Sequence, residues 1–245
     1  MSAPSEPKAG FWGWVFISVI KVGTKPMFKA AWRNRENMPR RGPVIIAVNH
    51  VSHIDTVLMA RLVWDSGRIP RFMAKSTIFD VPVVGFFMRA TDQIAVYRNS
   101  AAAASSLEDA SKALENGESI LIYPEGTTTK DPRRWPMHPK TGMARLILQR
   151  PDVPVVPVAQ WGAQPREKNA KRGRRTISAI IGEPLDMSGW AGTPPTAANL
   201  AKISDEVMAV IRHNLGQLRG ETPPAEIFRL SSSAGRAGQQ AEKAE

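Results

Sequence analysis

Short apolar runs alternate with longer stretches of helical periodicity from Pro43 to about residue 220. The apolar runs predict six strands: Val44–Val48, Arg71–Lys75, Gln93–Tyr97, Ser119–Tyr123, Val155–Gln160 and Thr176–Ile181. The periodic stretches predict five helices: Asp55–Asp65, Val81–Met88, Ala101–Glu115, Thr141–Gln149 and Ala198–Leu218. This alternation favours an α/β fold with a mostly parallel central sheet flanked by helices. In such sheets, active sites gather beyond the carboxyl ends of the strands.

The N-terminal segment is both apolar and basic. The apolar run Phe11–Ile20 is too short to span a bilayer, which takes about 20 residues. Four basic residues at a spacing of four would line one helical face: Lys21, Lys25, Lys29 and Arg33. Three tryptophans suit a membrane–water interface: Trp12, Trp14 and Trp32. We interpret residues 11–35 as an amphipathic, monotopic membrane anchor; an ordinary helix packed on the domain is the alternative.

The length of 245 residues is enough for one large domain with a real core. We divide the chain into an N-terminal membrane-associating segment (1–38), a main α/β domain (39–225) and a flexible C-terminal tail (226–245). The tail prediction rests on residues 231–245, which are rich in Ser, Ala, Gly and Gln.

The charge balance indicates acidic partners. Lys and Arg number 33 against 22 Asp and Glu, so the net charge is +11. Nucleic acid, an anionic membrane surface and phosphorylated substrates would all be attracted. The basic run Arg166–Arg175 contains no aromatic residue for base stacking, so it is either a solvated loop or a contact for lipid headgroups. Because cysteine is absent, disulfides, thiolate metal sites and a cysteine nucleophile are excluded.

The first chemical motif is Asn49–Asp55, directly after a predicted strand. On a continuous helix His50 and Asp55 would lie about 140° apart. They can meet if His50 lies in a loop and the helix begins after it, with Ser52 as N-cap and Asp55 at the third helical position. The carboxylate would then orient the imidazole as a base. A structural capping box and a metal site that includes His53 remain alternatives.

Three further motifs follow along the chain. One motif extends from Arg71–Lys75 through Pro82 and Gly85 to Arg98. Another, Tyr123–Thr127, places a Glu-Gly turn at the end of a predicted strand. Lys140-Thr-Gly precedes Val153–Val158, whose prolines predict a strand start or an edge strand. Any one of these motifs is weak, and Tyr123–Thr127 is also compatible with a simple turn.

The order of the four motifs resembles the glycerolipid acyltransferase family, in particular bacterial 1-acylglycerol-3-phosphate acyltransferases. The resemblance covers about residues 40–185. It implies that His50 is the general base, which takes the proton from an acceptor hydroxyl that attacks an acyl thioester without an acyl-enzyme. Asp55 would orient His50, and Lys75 or nearby backbone amides would stabilise the oxyanion.

The resemblance also implies an acceptor site and a cellular setting. Five residues would bind the glycerol phosphate or the rest of the acceptor: Arg98, Glu125, Gly126, Thr127 and Lys140. The expected substrates are lysophosphatidic acid and an acyl-CoA or acyl carrier protein thioester, with no metal, cofactor or nucleic acid. The expected location is the cytoplasmic face of the cell membrane, as a peripheral, monotopic protein.

Two positions depart from the family pattern. Tyr97 stands where the family often has Asp, and Thr128 stands where it often has Arg or Ser after Glu-Gly-Thr. Three cations follow Thr128 and are candidates to replace the missing arginine: Lys130, Arg133 and Arg134. Another lysolipid, a glycolipid or an amino-acid lipid is therefore an alternative acceptor, and a thioester hydrolase is an alternative activity.

Overall fold

A computed structural model describes residues 10–97, 103–165 and 173–230 of the chain. The helices in these residues are α1 Phe11–Thr24, α2 His53–Asp65, α3 Val84–Ala90, α4 Ala103–Glu115, α5 Gly142–Gln149 and α6 Ala197–Arg219. The strands are β1 Phe28–Arg33, β2 Val44–Val48, β3 Pro70–Lys75, β4 Ile94–Val96, β5 Ser119–Ile122, β6 Val155–Trp161 and β7 Arg175–Ile181. All six strands and all five helices predicted between Pro43 and residue 220 are present. The largest difference is at α3, because Pro82 and the positive φ of Val83 (64°) delay its start.

The strands form one sheet in the order β1-β7-β6-β2-β5-β3-β4. β6, β2, β5, β3 and β4 run parallel to one another. β7 is antiparallel to β6, and β1 is parallel to β7. The expected α/β fold with a mostly parallel sheet is thus confirmed, with one reversed pair of strands at an edge.

Helices cover both faces of the sheet. Along β2, Val44, Ile46 and Val48 pack with α1 and α2, whereas Ile45 and Ala47 pack with α4, α5 and α6. All five residues of β2 are buried, as expected for a parallel strand that is covered on both sides. The carboxyl end of β2 consequently lies in the middle of the molecule, beside the ends of β5 and β6.

The helical prediction for residues 28–33 is wrong. The first helix ends at Thr24, and Pro26 prevents its continuation. Residues 28–33 form β1 and pair in register with β7, so they belong to the same sheet as the strand that precedes the Asn49–Asp55 motif. Lys29 and Arg33 therefore lie on a strand and do not extend a helical face from Lys21.

The prolines predicted a strand start or an edge strand. Pro154 directly precedes the start of β6, whereas Pro157 lies within this interior strand. β6 is paired with β2 on one side and with β7 on the other. The ladder with β7 begins only at Val158, and the carbonyl of Pro157 accepts a hydrogen bond from Gly182 N. Pro157 therefore stands just outside the β7 ladder, where its missing N–H breaks no strand pair.

Residues 226–230, which the predicted boundary at 226 places in the tail, contact the domain, whereas residues 231–245 lie outside the described residues. His138 N donates to the carbonyl oxygen of Phe228 at 3.0 Å. Of the predicted basic loop, residues 166–172 lie outside the described residues. No helix among the described residues is both long enough and apolar enough to cross a bilayer.

Candidate active site

His50 lies in the loop between β2 and α2, and Asp55 lies in the first turn of α2. Ser52 is the N-cap and Asp55 the third helical residue, as the sequence predicted. His50 Nδ1 is 2.9 Å from Asp55 Oδ1. Asp55 is fully buried, whereas the His50 side chain keeps 11% of its surface exposed. Because Nδ1 faces the carboxylate, Nε2 is the ring nitrogen left for proton transfer.

The second oxygen of Asp55 completes a capping box. Oδ2 accepts hydrogen bonds from the backbone N–H groups of Val51 (2.8 Å) and Ser52 (2.9 Å). The structural and catalytic interpretations of this motif are therefore compatible, since one oxygen holds the loop and the other faces His50. Within the described residues, no group of His, Asp or Glu side chains is arranged to hold a metal ion.

Tyr123 fixes the plane of the imidazole. Its ring stacks on that of His50, with centroids 4.1 Å apart and planes 21° apart. The Tyr123 hydroxyl is buried. Burial, and next the negative charge of Asp55, raises the pKa of Tyr123 well above its usual value. Tyr123 therefore stays neutral and acts as an aromatic wall against which His50 is held.

Gln160 on β6 supports the pair from the neighbouring strand. Its Nε2 donates to Asp55 Oδ2 at 3.0 Å and to the carbonyl of Asn49 at 3.2 Å. Asn49 in turn bonds the backbone of Gln160 in both directions, at 2.8 Å and 3.1 Å. These bonds join the end of β2 to β6, so the position of Asp55 is set from outside its own helix.

Sequence reasoning missed the role of Gln160. The available signal was a polar residue at the end of an apolar strand, the same signal that singled out His50. The signal alone does not name a partner, because the sequence does not say that β6 lies beside β2. Tyr123 and Asn49 were quoted within motifs, but their contacts with His50 and Gln160 were not predicted.

Glu125 connects the turn after β5 to the loop of His50. Its Oε1 accepts from His50 N at 2.8 Å and its Oε2 accepts from Met137 N at 2.9 Å. Burial raises the pKa of Glu125 to about 8, although both backbone hydrogen bonds oppose this shift. Thr129 N also donates to the carbonyl of His50 at 2.7 Å. Glu125 thus holds the backbone on which His50 is mounted.

Gly126 and Lys140 lie against each other. Gly126 has φ +70°, and a Cβ there would be 3.1 Å from Lys140 Cγ, so glycine suits both the turn and the lysine stem. Lys140 N donates to the carbonyl of Pro124 at 2.8 Å. Glu125, residues 137–140, Arg229 and Leu230 line a cavity of about 180 Å³. The structure therefore brings Glu125, Gly126 and Lys140 together, and Thr127 follows them in the same turn, half-buried.

Lys75 stands apart from this group. Lys75 ends β3, and β5 separates β3 from β2, which puts the two strands about 10 Å apart. Met73 packs on the side of α4 and α5, so strand alternation directs Lys75 to that face, opposite His50. Arg98 lies outside the described residues. The oxyanion role of Lys75 and the phosphate role of Arg98 stay predictions.

We expect Gln160→Met to weaken both the fold and the reaction. The substitution keeps a side chain of similar size but removes two hydrogen bonds, the one to the carbonyl of Asn49 and the one to Asp55 Oδ2. The free energy of unfolding should fall by about 1–3 kcal/mol. The kcat should fall less than in variants of Asp55, because the Asp55 carboxylate remains and still accepts from two backbone donors. Thermal unfolding and steady-state kinetics measure both effects, and wild-type values for both would contradict the role given to Gln160.

Comparison with known proteins identifies the family of this fold and site. The acyltransferase family model matches residues 29–161, more than half of the 245 residues. A 1-acyl-sn-glycerol-3-phosphate acyltransferase of Bacillus subtilis is 29% identical over 164 residues, which cover 66% of this chain and 76% of that protein. A chloroplastic 1-acyl-sn-glycerol-3-phosphate acyltransferase of Brassica napus is 30% identical over 177 residues, which cover 70% of this chain and 48% of that protein.

A solved structure shares the fold. The crystal structure of the 1-acyl-sn-glycerophosphate acyltransferase from Thermotoga maritima matches with a TM-score of 0.64 and 21% sequence identity. The match covers 89% of this chain and 81% of that protein. Because the family model spans more than half of the sequence, this chain belongs to the acyltransferase family.

Proposed function

We propose that this protein transfers a fatty acyl chain from an acyl-CoA or acyl carrier protein thioester to the free hydroxyl of lysophosphatidic acid, which yields phosphatidic acid. The observation that carries the proposal is the 2.9 Å contact of His50 Nδ1 with Asp55 Oδ1 at the carboxyl end of β2. The names of the Bacillus and Brassica relatives support the choice of acceptor.

His50 is the general base in this mechanism. Its Nδ1–H donates to Asp55, so Nε2 accepts the proton of the acceptor hydroxyl. The hydroxyl oxygen bonds to the thioester carbonyl carbon, and the carbon–sulfur bond then breaks. The thiolate leaves with the proton that His50 received, which restores the base. The chain contains no cysteine that could carry the acyl group as a thioester.

We assign the oxyanion to backbone amides rather than to Lys75. The backbone N–H groups of Thr127 and Thr128 have no partner among the described residues. They lie in the turn after Glu125, whose side chain bonds the backbone of His50. Amides fixed in a turn need no reorganisation when negative charge develops on the carbonyl oxygen. We therefore assign the oxyanion to this turn and the acceptor phosphate to Lys140 and Arg98.

The acceptor is tested with labelled acyl-CoA and purified protein. Lysophosphatidic acid is compared with other lysophospholipids, a glycolipid and an amino-acid lipid that carries a free hydroxyl. A labelled acylation product should form with lysophosphatidic acid, as phosphatidic acid, and with none of the other acceptors. Release of thiol without an acceptor would favour the thioester hydrolase, and the absence of product from every lysolipid would overturn the transferase.

We also propose that the protein binds the cytoplasmic face of the cell membrane through an apolar patch. The patch consists of Phe11, Trp12, Trp14, Val81, Val83, Val84 and Phe86, all exposed. Trp12 contacts Phe86 edge-to-face with centroids 5.0 Å apart, so the patch is continuous between α1 and α3. Exposed contiguous apolar surface of this kind typically marks an interaction site. The net charge of +11 supports an anionic membrane as the partner.

We expect Phe86→Glu to weaken membrane binding by about tenfold or more, because burial of a Phe side chain contributes about 1.5–3 kcal/mol. Gln149→Glu is the matched control, since it adds the same charge at an exposed position of α5 on the other side of the sheet. Co-sedimentation with phosphatidylglycerol and phosphatidylethanolamine vesicles measures the effect. Equal binding of the two variants would refute the patch as the membrane contact.

A further inference from the structure

Two cations from distant parts of the chain line the cavity beside Glu125. Lys140 belongs to the loop before α5, and Arg229 follows α6. Neither has an ion-pair partner within the described part of the chain. Among the described lining residues Glu125 is the only carboxyl, and both of its oxygens accept backbone hydrogen bonds. The cavity therefore offers two cationic donors to an anion, and no described side chain supplies one to them.

The segment that carries Arg229 is held in place. Gly220 ends α6 in the left-handed conformation (φ 65°) and turns the chain back. Arg212 then donates to the carbonyl of Pro224, and His138 N donates to the carbonyl of Phe228. The backbone next to Arg229 is thus bonded to the same 137–140 loop that carries Lys140.

The cavity is large enough for a phosphate group. A single water needs about 10–15 Å³ of such space, whereas the cavity measures about 180 Å³. Lys and Arg both bind phosphate through charge-assisted hydrogen bonds, and Arg can do so in bidentate fashion. A phosphate monoester, with up to two negative charges, matches the two cations.

We propose that this cavity binds the phosphate monoester of the acceptor and that Arg229 is a specificity-determining residue that acts with Lys140. The proposal rests on the proposed function. In lysophosphatidic acid the reacting hydroxyl and the phosphate are on adjacent carbons of one glycerol, so their sites must adjoin. Glu125 meets this requirement, because it forms part of the cavity wall and bonds His50 N at 2.8 Å. Arg229 then supplies the positive charge that is missing at position 128, where Thr128 stands in place of the arginine often found in the family.

The test compares Arg229→Ala and Arg229→Lys in the full chain. Arg145→Ala is the matched control, because Arg145 is also exposed but lies on α5 and lines a separate surface cavity. The KM for lysophosphatidic acid should rise about 10- to 100-fold in Arg229→Ala. It should rise less in Arg229→Lys, and kcat at saturating acceptor should stay near the wild-type value. The rise in KM in the double variant Arg229→Ala/Lys140→Ala should differ from the product of the rises in the two single variants, since both cations bind one group.

A binding measurement keeps this site separate from the proposed reaction. Calorimetry with glycerol 3-phosphate should show saturable binding to the wild type and to Arg145→Ala, and a loss in Arg229→Ala. If that pattern holds while lysophosphatidic acid is not acylated, the phosphate site stands and the proposed function fails. Equal affinity of wild type and Arg229→Ala, no saturable binding to the wild type, or equal affinity for inorganic phosphate and glycerol 3-phosphate would each overturn the proposal.

Discussion

His50→Ala is expected to lower kcat for acyl transfer by about 10³-fold or more, because it removes the group that accepts the hydroxyl proton. General base catalysis typically contributes about 10²- to 10⁴-fold. The loss should appear in kcat with the acceptor KM little changed, since the backbone N–H of His50, which bonds Glu125, is retained. Steady-state kinetics with labelled acyl-CoA measure the loss, and circular dichroism verifies that the variant folds.

His53→Ala is the control for this prediction. His53 is exposed at the start of α2, and its ring meets that of His50 edge-on, with centroids 6.2 Å apart. Among the described contacts, only His50 forms a hydrogen bond from its ring to the carboxylate of Asp55. We expect near wild-type kcat for His53→Ala. A large loss in this variant together with an active His50→Ala would exchange the roles of the two histidines and refute the mechanism.

Asp55→Asn is expected to lower kcat by about 10²- to 10⁴-fold while the fold survives. The amide oxygen of the new side chain would take the place of Oδ2, where Val51 N, Ser52 N and Gln160 Nε2 all donate. The amide nitrogen would then face Nδ1 of His50 as a donor. Nδ1 would have to accept, so the proton would move to Nε2 and the base would be lost.

Two measurements separate this effect from simple unfolding. Thermal unfolding of Asp55→Asn should resemble that of the wild type, because the three donors keep an acceptor. Asp55→Ala should lower the free energy of unfolding by about 1–3 kcal/mol or more, because it leaves these three buried donors without an acceptor. Nitrogen NMR of the His50 ring should report the proton on Nδ1 in the wild type and on Nε2 in Asp55→Asn. A fully active Asp55→Asn would show that the carboxylate serves only as a cap.

The sequence predicted the secondary structure well where the signal was local. Val44–Val48 was located with correct ends, because a run of buried aliphatic residues between a Pro and an Asn allows little else. β1 was missed, since the spacing of Lys29 and Arg33 imitates a helical face. Its strand conformation comes from pairing with β7, a partner 147 residues away along the chain.

The candidate site was likewise predictable where it depends on local chemistry, and not where it depends on contacts between distant segments. The N-cap at Ser52 follows from local capping chemistry, and it correctly brought His50 and Asp55 together across five residues. The position of Gln160 beside Asp55 required the order of the strands, which no local pattern encodes. The placement of Arg229 beside Lys140 required the path of the chain after α6.

The sequence by itself determined the alternation of strands and helices, the loop that carries His50, and the carboxylate that faces it. These features depend on periodicity, capping and turn residues, which act over a few neighbouring positions. Only the tertiary structure decided that β6 flanks β2, that Tyr123 stacks on His50, and that the segment after α6 lines a cavity beside Glu125. Such contacts join residues that are tens of positions apart, and their energy depends on burial and packing that exist only once the whole sheet is assembled.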